Sequence, residues 1–93
     1  MADQLQVVEN RDENRYELFE GETLLGFADY RLGEGSILFT YIEIQPAFQG
    51  RGLATKLTEA ALNDARARDL SISARCPFIV DYLDQHPEYV TPR

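Results

Sequence analysis

Residues 43–57 read EIQPAFQGRGLATKL, and this stretch decides the fold. An apolar, β-branched segment runs up to Pro46, a loop with Gly50 and Gly52 follows, and apolar residues then recur at helical spacing. The first N–H groups of a helix are unpaired and its N-terminal end is positive, so a glycine loop that opens into a helix suits a phosphate or pyrophosphate group. The junction therefore predicts a strand, an anion-binding loop and a helix in that order.

The sequence before this junction predicts four strands separated by polar turns. They lie at residues 5–8, 15–20, 23–32 and 36–45. The last of these, rich in Ile, Phe, Thr and Tyr, is predicted to be buried. Gly21 supplies a hairpin turn, so we expect an antiparallel meander.

The sequence after the loop predicts a helix over residues 51–68, a short strand at 71–75 and a second helix over 77–85. Asp69 is predicted to take the left-handed conformation that ends the first helix. A helix separates the strands at 36–45 and 71–75, so the two should be parallel neighbours. The predicted fold class is α+β, with an antiparallel meander, one β-α-β crossover and a short C-terminal helix, all in a single domain over residues 1–93.

Charge, hydrophobicity and cysteine content argue against several classes of function. The net charge of −7 argues against a nucleic-acid-binding surface, and no apolar run approaches the roughly 18 residues of a membrane span. A single cysteine, Cys76, cannot form an internal disulfide, which fits a reducing cytoplasm. The first residues carry no basic or apolar signal region, so we expect no secretory signal and a cytoplasmic location. No metal site is predicted.

Three kinds of phosphate-binding loop join a strand to a helix through glycines. A Walker loop needs Lys-Ser or Lys-Thr after its last glycine, and a dinucleotide fingerprint needs a small residue where this chain has Thr55. The third kind fits: Gln49-x-x-Gly52-x-Ala54 matches the Q/R-x-x-G-x-G/A signature of the GNAT acetyltransferases. A tight turn into a surface helix would also use two glycines, but the strand before and the helix and strand after favour a cofactor loop.

The resemblance extends beyond that signature. Residues 44–54 resemble the small, single-domain GNAT-like acetyltransferases, and Cys-Pro-Phe-Ile-Val at 76–80 and His-Pro-Glu-Tyr at 86–89 are similar to two further hallmarks of that subfamily. Together these segments span about the second half of the chain. The resemblance implies a shortened GNAT fold that uses acetyl-coenzyme A (acetyl-CoA) and lacks the helices that hold the acceptor in larger members.

The resemblance also implies a set of coenzyme A (CoA) contacts. Backbone N–H groups late in strand 36–45 are expected to hold the thioester carbonyl and the pantetheine arm, and Arg51 and Lys56 to add positive charge at the helix start. The expected cofactor-binding residues are Ile44, Gln49, Gly50, Arg51, Gly52, Leu53, Ala54, Thr55 and Cys76.

Two candidate catalytic residues lie near the last strand and the second helix. Cys76 is either a nucleophile or a wall of the thioester pocket, and its ordinary behaviour is that of a small buried hydrophobe. Only Arg75 flanks it with charge, pointing to the other face, so we predict the wall. Tyr82 stands where many GNAT enzymes carry a tyrosine that protonates the leaving thiolate, although a tyrosine on such a helix also serves as core.

Two more candidates lie on the central strand. Glu43 is a candidate general base acting through water, with an exposed strand glutamate as the plain alternative. Tyr41 stands where the subfamily typically carries a histidine, and an unperturbed tyrosine pKa of about 10 makes it a poor base at neutral pH. His86, the only histidine, is predicted to cap the end of the second helix.

These observations lead to two functional hypotheses. The first is an acetyl-CoA-dependent N-acetyltransferase in which an unidentified amine attacks the thioester directly. The second, favoured by Tyr41, is a CoA-binding module without turnover. A plain interaction domain ranks below both, because it would require the glycine loop and the Cys-Pro-Phe segment to be coincidental.

Overall fold

The computed structural model describes residues 4–90, which form a five-stranded sheet and two α-helices. In chain order the elements are β1 (Leu5–Asn10), β2 (Arg15–Glu20), β3 (Thr23–Gly33), β4 (Ser36–Ile44), α1 (Leu53–Ala67), β5 (Ser71–Ala74) and α2 (Pro77–Gln85). The strands lie in the order β1-β2-β3-β4-β5, antiparallel except for the parallel pair β4–β5. The predicted meander, crossover and C-terminal helix are therefore confirmed.

Two predicted boundaries were wrong for identifiable reasons. Helix α1 begins at Leu53 and not at residue 51, because Gly50 and Gly52 have φ values of 84° and 72°, which a right-handed helix does not contain. Strand β1 runs on to Asn10, which pairs with Arg15, so its polar end belongs to the sheet. The left-handed conformation predicted for Asp69 is present, with φ of 58°.

Both helices pack on one face of the sheet and share one hydrophobic core with it. The stripe of α1 that faces the sheet includes Leu57, Ala61 and Ala65, all fully or almost fully buried. Alanines at this spacing let the helix axis approach the strands closely. The sheet contributes Phe39 and Ile37 from β4, also fully buried. Truncating Leu57 to Ala would cost about 2–5 kcal/mol of stability, as at other buried core positions.

A polar network fixes the C-terminal end of α1 to the sheet. The Arg68 guanidinium donates to Glu9 of β1 at 3.0 Å, and the Tyr30 hydroxyl donates to the other oxygen of the same carboxylate at 2.5 Å. Tyr16 donates to Asp64 of α1 at 2.6 Å. We call these five residues the Glu9 network. Burial by itself would raise the pKa of Glu9, but the hydrogen bonds from Tyr30, Arg68 and Arg11 outweigh it and hold that pKa below its ordinary value.

A β-bulge in β4 divides that strand into two parts. Asp29 pairs with Tyr41 and Tyr30 pairs with Phe39, so Thr40 is an extra residue between the two pairs. The bulge changes which side chains face the helices. Before it, the odd-numbered residues are buried on the helix side; after it, Tyr41 and Glu43 are exposed on the open face.

The sheet separates beyond the bulge. Strand β5 pairs only with Ser36 to Phe39 of β4, and the last backbone hydrogen bond runs from Arg75 N–H to the Phe39 carbonyl at 2.8 Å. From there β4 continues to Ile44 with only β3 beside it, while the chain after β5 turns into α2. This separation leaves one edge of β4 open next to the glycine loop.

Candidate functional site

A cleft of about 390 Å³ opens where β4, the glycine loop and the start of α1 meet. We call it the glycine cleft. It is lined by Ile42, Ile44, Phe48, Gln49, Gly50, Gly52, Leu53, Ala54, Thr55 and Phe78. Seven of the nine residues that the sequence predicted for the cofactor site are on this list, and Arg51 and Cys76 are not.

The two glycines shape the rim of the glycine cleft. Gly52 is the residue before α1, and no side chain caps the helix there. No heavy atom lies within 4 Å of the place where a Cβ would stand at Gly50 or Gly52, so the first turn of the helix is open to a ligand. Gln49 ties the loop back to β4, because its side-chain amide donates to the Ile44 carbonyl at 3.1 Å. An uncapped helix start with an open approach is a site for an anion.

The free edge of β4 forms the apolar wall of the cleft. The Gln45 N–H donates to Leu25 of β3 at 2.8 Å, and strand alternation therefore turns the backbone groups of Ile42 and Ile44 towards the opened side. The apolar side chains of these two residues line the cleft, and Phe78 of α2, 40% exposed, faces it as well. A long, narrow ligand can thus lie along a strand edge that offers both hydrogen bonds and apolar contact.

Arg51 turns away from the glycine cleft. Its guanidinium donates to the Glu20 carboxylate at the end of β2 at 3.0 Å, with the arginine side chain 45% exposed. The Arg51 charge that was predicted at the helix start is thus paired with a carboxylate. Backbone N–H groups at the start of α1 supply positive potential to the cleft.

Tyr41 and Glu43 lie side by side on the open face of the sheet. The Tyr41 hydroxyl donates to the Glu43 carboxylate at 2.7 Å, and this hydrogen bond, helped by the carboxylate charge, raises the pKa of Tyr41. The Phe27 ring packs 6.0 Å from that of Tyr41. Asp29 pairs with Tyr41 across the strands; burial raises its pKa, Arg15 opposes that shift and Glu43 adds to it. Tyr41 is therefore a protonated donor at neutral pH.

Cys76 is buried between the end of β5 and the start of α2. It is 7% exposed, its carbonyl accepts from the Val80 N–H at 2.9 Å, and its side chain does not line the glycine cleft. Its burial is the ordinary behaviour of a free cysteine, which packs as a small hydrophobe.

Tyr82 lies in the second half of α2 and packs against aromatic neighbours. Its ring stacks on that of His86, with ring centroids 4.0 Å apart and planes 16° apart. Burial raises the pKa of Tyr82, and the charge of Glu59 on α1 adds to the shift. His86 follows the last turn of α2, and its Nδ1 lies 2.9 Å from the Tyr82 carbonyl, which matches the predicted capping role. Tyr82 is not among the residues that line the glycine cleft, and its ring packs on the aromatic residue one turn further along the chain.

Sequence reasoning missed three lining residues and one neighbour. Phe48 and Phe78 fall inside quoted motifs but carry no polar chemistry that would single them out, and Ile42 precedes the predicted set. Asp29 meets Tyr41 only through the strand register, which the bulge at Thr40 shifts. An apolar lining of this kind is typical of ligand clefts.

Two features are absent from the part of the chain that the structure describes. Among residues 4–90, no group of three or more His, Cys, Asp or Glu side chains is placed to hold a metal ion. Across the same residues, no helix has both the length and the hydrophobicity that crossing a lipid bilayer requires.

Comparison with known proteins agrees with this geometry. A sequence model of the GCN5-related N-acetyl-transferase family matches residues 15–91. A GCN5-like protein from Staphylococcus aureus, solved in solution by NMR, is 25% identical with a TM-score of 0.68, covering 91% of this chain and 83% of its own. A search of curated protein sequences found no match.

Two crystal structures share the fold at lower identity. Ard1 from Thermoplasma volcanium is 15% identical with a TM-score of 0.58. The match covers 84% of this chain and 55% of that one. A ribosomal-protein-alanine N-acetyltransferase from Brucella melitensis biovar Abortus 2308 is 17% identical with a TM-score of 0.58. The match covers 85% of this chain and 63% of that one. This chain therefore spans less than two thirds of the length of each of these two proteins.

The fold and the glycine cleft thus define an acetyltransferase-type domain. The family match covers more than half of the chain, and the chain belongs to the GCN5-related N-acetyltransferase family.

Proposed function

We propose that this protein is an acetyl-CoA-dependent N-acetyltransferase that acts on an amine. One observation carries the proposal: the uncapped start of α1 at Gly52 and the free edge of β4 open into the same cleft of about 390 Å³. An anion site that adjoins a strand edge with apolar walls suits a ligand with a pyrophosphate at one end and a thioester-bearing arm at the other. Family membership supports acetyl-CoA as that ligand.

The residues present fit such a ligand. The open space at Gly50 and Gly52 lets backbone N–H groups approach the pyrophosphate, and a Cβ at either position would occupy that space. The backbone groups of Ile42 and Ile44 are directed to the side where the arm would lie. Acetyl-CoA supplies the activated acetyl group, and the chain supplies binding, orientation and exclusion of water.

Glu43 is the proposed proton acceptor. It is exposed on the open face, beyond the bulge, where an amine can approach the separated strands. The amine nitrogen bonds to the acetyl carbon as the carbon–sulfur bond breaks, its proton passes through water to the Glu43 carboxylate, and the CoA thiolate takes a proton from solvent. Tyr41 donates to Glu43 and so orients the carboxylate without acting as the base.

Cys76 and Tyr82 have supporting parts in this proposal. Cys76 is buried at the end of β5 and is given no covalent part, so we expect Cys76→Ser to retain measurable transfer. The ring of Tyr82 is held against His86, so we route no proton through its hydroxyl. An acetyl adduct on Cys76 that an amine discharges would replace direct attack by a two-step mechanism.

The test is release of the CoA thiol from acetyl-CoA in the presence of a panel of amines. We expect amine-dependent release by the wild-type protein and about a hundredfold lower turnover in Glu43→Gln, the usual scale for loss of a general base. CoA affinity should stay the same, because the carboxylate acts only in the chemical step. The matched control is Glu22→Gln, a neutralisation of an exposed glutamate in the β2–β3 turn. Equal turnover in wild type and Glu43→Gln across pH would remove Glu43 from the mechanism.

One observation favours a second function, a CoA-binding module without turnover. Tyr41, with its raised pKa, is no proton acceptor at neutral pH, and its hydroxyl occupies one oxygen of the only candidate base. The same assay separates the two functions. A module binds CoA and releases no thiol with any amine, and Tyr41→His would then be expected to introduce amine-dependent release.

A further inference from the structure

The sheet face that the helices leave uncovered carries a group of aromatic and acidic side chains around Glu43. Phe27 and Asp29 of β3 lie on this face, because Ala28 between them is buried in the core on the helix side. The strand register sets Phe27 directly opposite Glu43, and Asp29 directly opposite Tyr41. We call Phe27, Asp29, Tyr41 and Glu43 the open-face patch. It joins two rings and two carboxylates at the proposed proton acceptor.

The same face already holds one cation against an aromatic ring. The Arg15 guanidinium donates to the Glu17 carboxylate at 2.8 Å and lies 4.6 Å from the centroid of the Phe27 ring. Glu17 is opposite Phe27 on the β2 side, as Glu43 is on the β4 side. The β4 side thus repeats the carboxylate and adds the Tyr41 ring, 6.0 Å from that of Phe27. A carboxylate beside a ring face attracts a cation.

The two carboxylates of the open-face patch are not paired with a cation. Among residues 4–90, no Lys, Arg or His side chain forms an ion pair with Asp29 or Glu43. Asp29 is partly buried, and burial raises its pKa because desolvation disfavours the charged form. A cation bound between the two carboxylates would stabilise both in their charged form. The patch therefore matches a positively charged group.

The two rings favour a cation that is carried on a hydrocarbon chain. The Tyr41 side chain is 47% exposed, so its ring is accessible from solvent. Aromatic faces pack against methylene groups and also attract an ammonium group. A lysine side chain combines a flexible hydrocarbon stem with a terminal ammonium, whereas the α-amine of a chain terminus has no such stem. The patch therefore suits a lysine side chain better than an α-amine.

The surroundings of the patch suit a polypeptide better than a small amine. Tyr41 and Glu43 are exposed, whereas small ligands are normally enclosed in concave pockets. An open depression of about 670 Å³, which includes Asp29, has Arg31 and Glu13 among its walls. Charges of both signs, spread in this way, can pair with residues on either side of a lysine. The net charge of −7 attracts a basic partner and disfavours a second copy of this chain.

We propose that the open-face patch binds a lysine side chain of a protein partner as the acetyl acceptor, with its stem on the Phe27 and Tyr41 rings and its ammonium between Asp29 and Glu43. This rests on the proposed function, in which Glu43 is the proton acceptor. The bound ammonium first loses one proton to solvent. The amine nitrogen then attacks the acetyl carbon as the carbon–sulfur bond breaks, and its second proton passes through water to Glu43. The products are the acetylated lysine and CoA, whose thiolate is protonated by solvent.

The test compares three acceptors in the assay of thiol release from acetyl-CoA. The first is a peptide with one lysine, arginines on both sides and an acetylated N-terminus. The second has norleucine in place of the lysine and a free N-terminus, and the third, 1,5-diaminopentane, has the amine and the stem without a polypeptide. Wild type should use the lysine peptide with kcat/KM at least about tenfold above either of the others, the scale of one charged contact. Equal or better use of 1,5-diaminopentane or of the free N-terminus would overturn the proposal.

Two variants test the residues of the patch. Asp29→Asn should raise KM for the lysine peptide about tenfold and leave kcat within about twofold, because it removes a charged contact and leaves the proton acceptor in place. Phe27→Leu should raise KM about threefold through loss of the ring face. Asp84→Asn, exposed on α2 and so on the other side of the sheet, changes the net charge equally and is the control. An unchanged KM in Asp29→Asn, or an equal rise in Asp84→Asn, would contradict the proposal.

A binding measurement makes the test independent of turnover. In amide NMR spectra of wild type, the lysine peptide should shift the resonances of Phe27, Asp29 and Tyr41, and an N-acetylated norleucine peptide should leave them in place. The same spectra show whether each variant is folded. If wild type acetylates an amine but the lysine peptide shifts none of these resonances, only the present inference fails. If CoA binds and no acceptor gives thiol release, the proposed function fails and this inference fails with it.

Discussion

The two ends of α1 differ in how their polar groups are satisfied. At the C-terminal end, Arg68 and Asp64 are bound to side chains of the sheet through the Glu9 network. At the N-terminal end, Gly52 supplies no cap, and the loop beside it leaves open space. A helix end left without partners loses stabilisation that a capping side chain would provide, about 1 kcal/mol. The closed end thus ties α1 to the sheet through side chains, whereas the open end leaves its first N–H groups without a side-chain cap.

The largest expected effect is the loss of CoA affinity when the open end of α1 is substituted. Gly52→Val should weaken CoA binding about a hundredfold or more, because its side chain would fill the space that the pyrophosphate needs. The substitution also strains a residue with φ of 72°. Calorimetry with CoA measures the loss in affinity.

The chain offers a matched control for that strain. Gly35, in the β3–β4 turn, has φ of 69° and likewise has no heavy atom within 4 Å of a Cβ position. Gly35→Val should therefore lower stability to a similar extent and leave CoA affinity unchanged. Equal losses of affinity in both variants would show that backbone strain, and not the shape of the glycine cleft, causes the effect.

Substitutions at the closed end of α1 should lower stability and leave CoA affinity unchanged. Arg68→Ala removes the guanidinium from a Glu9 side chain that is only 13% exposed, and should cost about 1–2 kcal/mol of unfolding free energy. Chemical denaturation measures that loss, and CoA affinity should not change. Arg11→Ala is the control: Arg11 contacts the same carboxylate, but its side chain is 71% exposed, and it should cost close to nothing. A larger loss for Arg11→Ala than for Arg68→Ala would contradict the assignment of the network.

The effect of pH on the free energy of unfolding should be smaller than that of these substitutions. Stability should fall both at acid pH, through Glu9, and at alkaline pH, through Tyr30. The pKa of Glu9 is below its ordinary value of 4.5, so its contribution is present above that pH and is lost as the pH falls through the folded pKa. Burial and the hydrogen bond to Glu9 raise the pKa of Tyr30 to about 12, so its contribution is present below its ordinary value of 10 and is lost as the pH rises towards 12.

Denaturation of wild type and Glu9→Gln across this range tests those limits. The two curves should differ most between about pH 5 and 10 and converge at both extremes. A constant difference at all pH values would mean that the charge of Glu9 has no part in stability.

Much of the architecture was readable from the sequence, because side-chain periodicity reports local structure. The Ile, Phe, Thr and Tyr content of segment 36–45 predicted β4, and the helical spacing of Leu57 and Ala61 predicted α1. The intervening helix predicted that β4 and β5 are parallel. The glycine loop was readable because Gly50 and Gly52 stand at a strand-to-helix junction.

The unreadable parts depend on contacts between distant segments. The bulge at Thr40 arises from the register between β3 and β4, which no single segment contains. Arg51 was assigned to the cofactor site by its position in the loop, but Glu20, 31 residues earlier, takes its guanidinium. Tyr82 was assigned by helical position, and its stacking on His86 became visible only when α2 was seen in place.

Titration of the wild-type protein with CoA tests the claim that the glycine cleft binds this ligand. We expect saturable one-to-one binding by calorimetry and a melting temperature that rises with ligand concentration, with about 2.7 kcal/mol of stabilisation at a hundred times the dissociation constant. A nicotinamide dinucleotide, which shares the pyrophosphate but has no pantetheine arm, should give a much smaller shift. No heat of binding and no rise in melting temperature at millimolar CoA would contradict the claim.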